Sequence, residues 1–334
     1  MRSTHRPRSA AGAIPSLLQP RGHTSLSDIT TEARPAKDAA TGTPGEIEVR
    51  QIAIDGQSLR VAIRHGRGPQ PPLLLFNGIG ANWELTKPLL EALTRTTAII
   101  FDVPGVGASP RPRLPYRPST LARLAADLVA ELGYKEIDVA GVSWGGGIAQ
   151  QFAHQYPKLC RRLVLAATAP GFTMVPASPA VLWKMATPRR YTDKSYMNRI
   201  AADIYGGAFR GDPSLIGRHA GAMHGARTLG YLYQLLAMAG WTSLPWLWSL
   251  RQPTLVLTGS DDPLVPPING HILASLIPNA DLRMIDDGHL FMVTRPAETA
   301  ALIEDFLGGG IADLVPASKD GRHHSKAEQQ GRTS

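Results

Sequence analysis

A serine stands between two glycines in Gly141-Val142-Ser143-Trp144-Gly145, at the spacing G-x-S-x-G. A serine hydroxyl is a weak nucleophile at neutral pH. It needs a base to take its proton, and the base needs a carboxylate to orient it. A set of that kind attacks an acyl carbon, holds the acyl group on the serine and then gives it to water. The flanking residues supply a structural reason for the spacing. Ile137, Val139 and Ala140 read as a buried strand, and Gly147-Ile148-Ala149 opens a helix of small residues. A serine on so tight a strand-to-helix turn is held in strained backbone above the carboxyl edge of a sheet, and glycines beside it let strand and helix approach. The N–H of Trp144, at the start of that helix, faces the place where an oxyanion would form.

The base and acid should follow later in the chain, acid first. Of the ten histidines, six lie in the expected ordered body: His65, His154, His219, His224, His271 and His289. His289 follows the last expected strand, in Asp286-Asp287-Gly288-His289-Leu290-Phe291, where a loop can swing an imidazole over the serine; His154, on the helix after the serine, reads as structural. The candidate acid lies in Gly259-Ser260-Asp261-Asp262-Pro263. Asp262 precedes proline, which holds it extended; Asp261 is the alternative, otherwise a loop residue. Asp102 is better explained as a side chain that fixes a loop near the site. A second oxyanion donor is expected from backbone after the apolar run Leu73 to Phe76, and the N–H of Ile79 in Asn77-Gly78-Ile79-Gly80 is the candidate.

These residues need a sheet to bring them together. Ile47 to Ile63 alternates apolar with polar around Asp55-Gly56, a hairpin signal. Leu73-Leu74-Leu75-Phe76 and Ala98-Ile99-Ile100-Phe101 are continuous apolar runs, as expected of strands buried on both faces. Leu121, Leu124, Leu128 and Leu132 recur at helical spacing after a cap at Ser119 or Thr120, with Gly133 at the end. Strands follow at 137–140, 163–165, 254–257 and 282–285, with helices between. This alternation specifies a mostly parallel, doubly wound sheet whose ligands sit beyond the carboxyl ends of the strands. It breaks between Gly171 and Leu250, a segment with four of the six tryptophans and eight Lys/Arg against three Asp/Glu. That segment reads as short helices laid across the sheet as a lid. Most of its aromatics should pack on the core, and a minority of its Met and Trp residues should line an apolar pocket. The expected organisation is a disordered leader over 1–45, core over 46–170, lid over 171–250, core over 251–308 and a polar disordered tail over 309–334.

Composition narrows the function classes. The net charge of +8 divides into +3 on the leader, +1 on the tail and +4 on the body. Without a basic cluster interleaved with aromatics, nucleic-acid binding is not expected. No apolar run approaches the eighteen or so residues of a membrane span, and the N-terminal stretch lacks the apolar segment of a secretory signal. The single cysteine, Cys160, excludes an internal disulfide and reads as a packing thiol. No cofactor and no metal site are expected; His323-His324 read as solvated tail.

With these residues placed, the chain resembles the α/β-hydrolases and, more narrowly, the intracellular depolymerases of medium-chain-length poly(3-hydroxyalkanoate). The stretches that carry the likeness are Phe76 to Asn82, Phe101 to Gly107, Gly141 to His154 and Asp286 to Phe291. Within the lid they are Pro188-Arg189-Arg190-Tyr191, Tyr205-Gly206-Gly207 and Gly240-Trp241-Thr242-Ser243. The lid strings are the specific part, since many hydrolases share the rest. The resemblance implies an α/β-hydrolase fold with an inserted helical lid, and Ser143, Asp262 and His289 as nucleophile, acid and base. It further implies hydrolysis of the polyester to 3-hydroxy acids at the surface of cytoplasmic granules. Related polymer synthases carry cysteine at the elbow, so serine here favours transfer to water; dehalogenases and epoxide hydrolases of the fold place aspartate there. Two other readings stand beside this one: a general carboxylesterase or lipase of the same fold, and a granule-binding protein with a vestigial site.

Overall fold

The structure, a computed structural model, describes residues 42–187, 189, 193–212, 214–217 and 228–309. The expected leader and tail lie outside the described residues except for 42–45 and Gly309, as do His219, His224, Pro188, Arg190 and Tyr191. In chain order come β1 (Ile47–Ile54), β2 (Gln57–Arg64), β3 (Leu73–Phe76), α1 (Lys87–Ala92), β4 (Ala98–Phe101), α2 (Pro118–Glu131), β5 (Ile137–Val142), α3 (Trp144–Gln155) and β6 (Cys160–Ala166). Inserted helices follow: α4 (Pro179–Ala186), α5 (Lys194–Tyr205), α6 (Ala208–Gly211), α7 (Thr228–Met238) and a 3-10 turn at Leu244–Ser249. The core then resumes with β7 (Thr254–Gly259), α8 (Ile268–Leu276), β8 (Ala280–Ile285), α9 (Phe291–Thr294) and α10 (Pro296–Leu307).

The strands make one eight-stranded sheet in the order β1-β2-β4-β3-β5-β6-β7-β8. β1, β2 and β4 pair antiparallel and the remaining pairs are parallel. The β1–β2 hairpin closes through Asp55 and Gly56, both at positive φ (48° and 76°), the conformation a two-residue hairpin turn demands.

Side chains alternate across a strand, so each apolar run feeds two cores. Leu74, Phe76, Ile99, Val139 and Leu165 face one way, against Leu121 and Leu128 of α2 and Ile148 and Phe152 of α3. Leu73, Leu75, Ile100, Ala140 and Leu257 face the other, against Leu89 of α1 and Ile303 and Phe306 of α10. Burial on both faces is why these strands read as unbroken apolar runs. Helix α2 begins one residue before the expected cap: Pro118 occupies its first position and Arg117 the cap. Proline needs no N–H partner there, while Thr120, exposed in the first turn, reaches back to the cap, its hydroxyl accepting from the Arg117 N–H at 3.5 Å.

The inserted helices have a small core of their own, with Val181, Met197, Ile200, Ile204 and Phe209 buried together. The two ends of the insertion are joined by a bridge between Gly171 and Thr242, where only helices were expected. Phe172 N–H donates to the Trp241 carbonyl (2.8 Å) and Ser243 N–H to that of Pro170 (3.0 Å).

Candidate active site

β5 ends at Val142 and α3 begins at Trp144, so Ser143 alone makes the turn between them. Its backbone sits at φ 53°, ψ −119°, a region a non-glycine residue occupies only when its surroundings force it. The surroundings do so. Ser143 N–H donates to the Ala166 carbonyl (2.9 Å), and the Ser143 carbonyl accepts from Gly146 N–H (2.9 Å) and from the Thr168 hydroxyl (2.7 Å). The neighbouring glycines are sterically required. A Cβ on Gly141 would lie 2.4 Å from the Gly145 carbonyl oxygen, and one on Gly145 would lie 2.3 Å from that of Phe76.

His289 and Asp262 come to this turn from the far end of the chain. His289 Nε2 lies 3.1 Å from Ser143 Oγ, and Nδ1 lies 2.7 Å from Asp262 Oδ2. Both side chains are almost fully buried. The second oxygen of Asp262 accepts from the N–H groups of Leu264 (2.9 Å) and Val265 (2.8 Å). The carboxylate is thus aimed by the turn that follows Pro263, which explains its direction more directly than the proline's effect on its backbone. A carboxylate so satisfied fixes the imidazole with Nδ1 protonated and Nε2 free to accept a proton from the hydroxyl.

The turn Asn77 to Asn82 stands opposite. The Asn77 side chain spans it, donating to the Asn82 carbonyl (3.0 Å) and accepting from Gly78 N–H (2.9 Å). A Cβ on Gly78 would be 3.8 Å from Ser143 Cβ, so this turn and the serine are in contact. Ile79, Ser143 and His289 line one cavity whose walls are apolar: Met185 from the insertion with Leu264, Leu290, Met292 and Val293. Trp144 opens α3 beside it. Of the inserted tryptophans, Trp183 and Trp248 face solvent, while Trp241 packs over Gly147 and Gly171 and meets Trp246 edge to face. Among the described residues, Met185 and Tyr205, rather than a tryptophan, are what the insertion contributes to the cavity wall.

The remaining expected residues are placed outside the chemistry. Asp261 is half exposed and binds Arg210 through both oxygens (2.8 and 3.0 Å). Asp102 is buried and accepts from the N–H groups of Trp83 (2.8 Å) and Ala108 (3.3 Å); burial raises its pKa to about 6 against the pull of those donors. It fixes the loop, as expected. His154, in the last turn of α3, stacks on Trp246 at 4.3 Å. Cys160 is buried and its pKa is pushed up by burial, consistent with an inert thiol.

Several supporting residues escaped sequence reasoning. Asp287, two residues before His289, is buried and accepts from the N–H groups of Ala208 and Gly288 and from the Thr294 hydroxyl. Tyr205 offers its carbonyl to His289 N–H, and Gln234 binds the turn at Gly80. Tyr205 and Asp287 stand in stretches that carry the family likeness, though with no role assigned there; Gln234 is marked only as the lone amide in the otherwise apolar stretch Leu229 to Met238. Among the described residues no three His, Cys, Asp or Glu side chains are grouped so as to hold a metal, and no helix is long and apolar enough to cross a membrane.

Residues 71–296 match a family model described as alpha/beta hydrolase fold. A poly(3-hydroxyalkanoate) depolymerase of Ectopseudomonas oleovorans is 54% identical over 259 residues, which cover 77% of this chain and 92% of that protein. A pimeloyl-[acyl-carrier protein] methyl ester esterase of Aromatoleum aromaticum is 30% identical over 260 residues, covering 72% of this chain and 99% of the relative. Among solved structures, a hydrolase from Pseudomonas aeruginosa superposes with a TM-score of 0.66 at 26% identity, over 80% of this chain and all of that one.

Proposed function

The chain belongs to the alpha/beta hydrolase fold family and, within it, with the poly(3-hydroxyalkanoate) depolymerases, and we propose that it cleaves the ester bonds of intracellular medium-chain-length poly(3-hydroxyalkanoate) through an acyl-enzyme on Ser143. The observation that carries this reading is the continuous line from Asp262 through His289 to the Ser143 hydroxyl, 2.7 and 3.1 Å long, opening on an apolar cavity.

Each step follows from the roles proposed for these residues. His289 Nε2 takes the Ser143 proton as Oγ attacks the ester carbonyl, and Asp262 stabilises the imidazolium that results. The carbonyl oxygen becomes an oxyanion beside the N–H groups of Ile79 and Trp144, against a mostly apolar lining where such hydrogen bonds are stronger than in bulk water. Collapse breaks the ester C–O bond; the imidazolium gives its proton to the departing alkoxide, which leaves as the shortened chain's hydroxyl. Water, deprotonated by the same imidazole, then attacks the acyl-enzyme and releases a 3-hydroxy acid with the serine restored.

The inserted helices act as a lid over this site, and the outer face of α7 is the contact for the polymer granule in the cytoplasm. Leu229, Leu232, Leu235 and Leu236 are between 43% and 48% exposed, and Thr228–Met238 contains no charged residue. Apolar residues on the outward face of a surface helix mark a surface that something covers, and an uncharged polyester with alkyl side chains matches it. The decisive experiment is product analysis from purified medium-chain polymer: 3-hydroxy acids are expected with the native protein and none with Ser143→Ala.

A second reading, hydrolysis of small esters, draws on the esterase relative of Aromatoleum. Turnover of short p-nitrophenyl esters with no release from polymer would favour it. A binding-only protein would take no label on Ser143 from a serine-directed phosphonate.

A further inference from the structure

Gln234 lies on the inner face of α7 and is fully buried (0% exposed). A buried polar group left unsatisfied costs about 1–3 kcal/mol, so a position needed only for packing is better filled by leucine or methionine. Gln234 is instead bonded at two points. Its Oε1 accepts the N–H of Gly80 at 2.8 Å, and its main-chain carbonyl accepts the indole N–H of Trp144 at 2.9 Å. Gly80 follows Ile79, and Trp144 follows Ser143. One residue of the insertion is therefore tied to both segments from which oxyanion donors are expected.

The helix that carries Gln234 is anchored in turn. Arg117 donates to the carbonyls of Leu236 (3.1 Å) and Ala239 (3.2 Å) at its C-terminal end. At its other end Gly230 lies so close to Gly105 that a Cβ there would be 2.1 Å from the Gly105 oxygen. The Gly80 N–H requires an acceptor, which sets the orientation of the Gln234 amide. Its Nε2 is then left with no hydrogen-bond partner among the described residues. A donor is stranded so that one N–H of the turn stays held.

We propose that Gln234 is a positioning residue that aims the oxyanion donors. Holding the Ile79–Gly80 peptide plane restricts the backbone of Ile79, and its N–H keeps one direction before substrate arrives. Donors stabilise an oxyanion only when they are pre-aimed. The inference rests on Ser143 being the nucleophile.

Gln234→Met keeps the shape and removes the acceptor; Gln234→Glu restores an oxygen to Gly80. The measurement is turnover of a soluble p-nitrophenyl ester per active site titrated with a serine-directed phosphonate, with affinity for a boronic acid whose tetrahedral adduct places an oxygen at the oxyanion position. Gln234→Met is expected to lower kcat per titrated site roughly tenfold with KM within about threefold, and to weaken boronate binding by the same factor. Gln234→Glu is expected to recover most of both. If Gln234→Met does not fold, Gln234→Asn, one methylene too short to reach Gly80, takes its place with the same expectation. A kcat per titrated site within about twofold of the native value, or unchanged boronate affinity, overturns the proposal. Native protein that takes no phosphonate overturns the role of Ser143 instead, so the two failures are distinct.

Discussion

The backbone N–H of His289 donates to the carbonyl of Tyr205 at 2.7 Å. The candidate base is thereby fastened to the end of α5, a helix of the insertion. Neighbouring bonds extend the seam: Gly207 N–H to Asp261 (2.7 Å) and Ala208 N–H to Asp287 (2.8 Å). Gly206 and Gly207 both lie at positive φ (67° and 49°) to make the close approach. Any opening of the inserted helices must leave this seam in place or disturb the imidazole.

Exchange of the site residues separates the two adjacent aspartates. Ser143→Ala and His289→Ala are each expected to lower kcat by about 10,000-fold or more, and Asp262→Asn by about 10,000-fold. Asp261→Asn, which loses the half-exposed ion pair with Arg210 but keeps an amide oxygen that can accept the Gly207 N–H, is expected to stay within about threefold. Steady-state kinetics on a soluble ester, with circular dichroism to check folding, reads all four.

The seam makes Gly207 intolerant of a side chain. A Cβ there would stand 1.9 Å from Asp287 Oδ1 and 2.1 Å from Gly288 N. Gly207→Ala is expected to lose about 2–4 kcal/mol of stability in urea unfolding and to lower kcat by shifting the His289 loop. Gly211→Ala, where no atom lies within 4 Å of the added carbon, is the neutral control.

The leucines of α7 separate granule contact from chemistry. Leu229, Leu232 and Leu236 are each a little under half exposed, so replacing them together by serine also removes buried apolar area and helix propensity, and stability should fall by about 1–3 kcal/mol. Co-sedimentation with polymer granules is expected to fall at least tenfold, on the order of 1.4 kcal/mol or more of lost apolar contact. Turnover of a soluble ester should be unchanged; undiminished co-sedimentation would remove α7 as the contact.

A pH effect is expected far from the serine. Asp138 at the start of β5 is fully buried and receives two bonds from Arg161 (2.9 and 2.5 Å). Burial raises its pKa to about 6 despite that partner. A carboxyl whose folded pKa exceeds its unfolded value holds more protons when folded, so its contribution to stability falls as pH rises from about 4 to 6. Asp138→Asn removes the ion pair at every pH, leaving Arg161 its bond to the Leu307 carbonyl, but lacks that fall. Its stability relative to the native protein should therefore improve by about 1–3 kcal/mol between pH 4 and pH 7. Urea titrations at the two pH values test this, and a constant difference would count against it.

Legibility in the sequence followed the range of the forces involved. The elbow at Ser143 could be read because its glycines are demanded by atoms on the adjoining strand and helix. The strands Leu73–Phe76 and Ala98–Phe101 could be read because burial on both faces leaves no polar position. The cap of α2 stands two or three residues before the expected Ser119 or Thr120, since Pro118, Ser119 and Thr120 all satisfy a helix start and only the backbone path chooses. Asp261 and Asp262 were separable in sequence only by the proline that follows; the bonds to Leu264 and Val265 select Asp262 in space.

Nucleophile spacing, apolar runs and turn residues are local properties of the chain, so the chemistry on offer and the sheet that presents it were legible without coordinates. Tertiary structure alone decided which groups meet: Tyr205 and His289 are 84 positions apart, Gly80 and Gln234 154. Their hydrogen bonds join peptide groups and amides that carry no distinguishing pattern along the chain. Such partners are chosen by proximity after packing, and proximity is what a linear pattern does not encode.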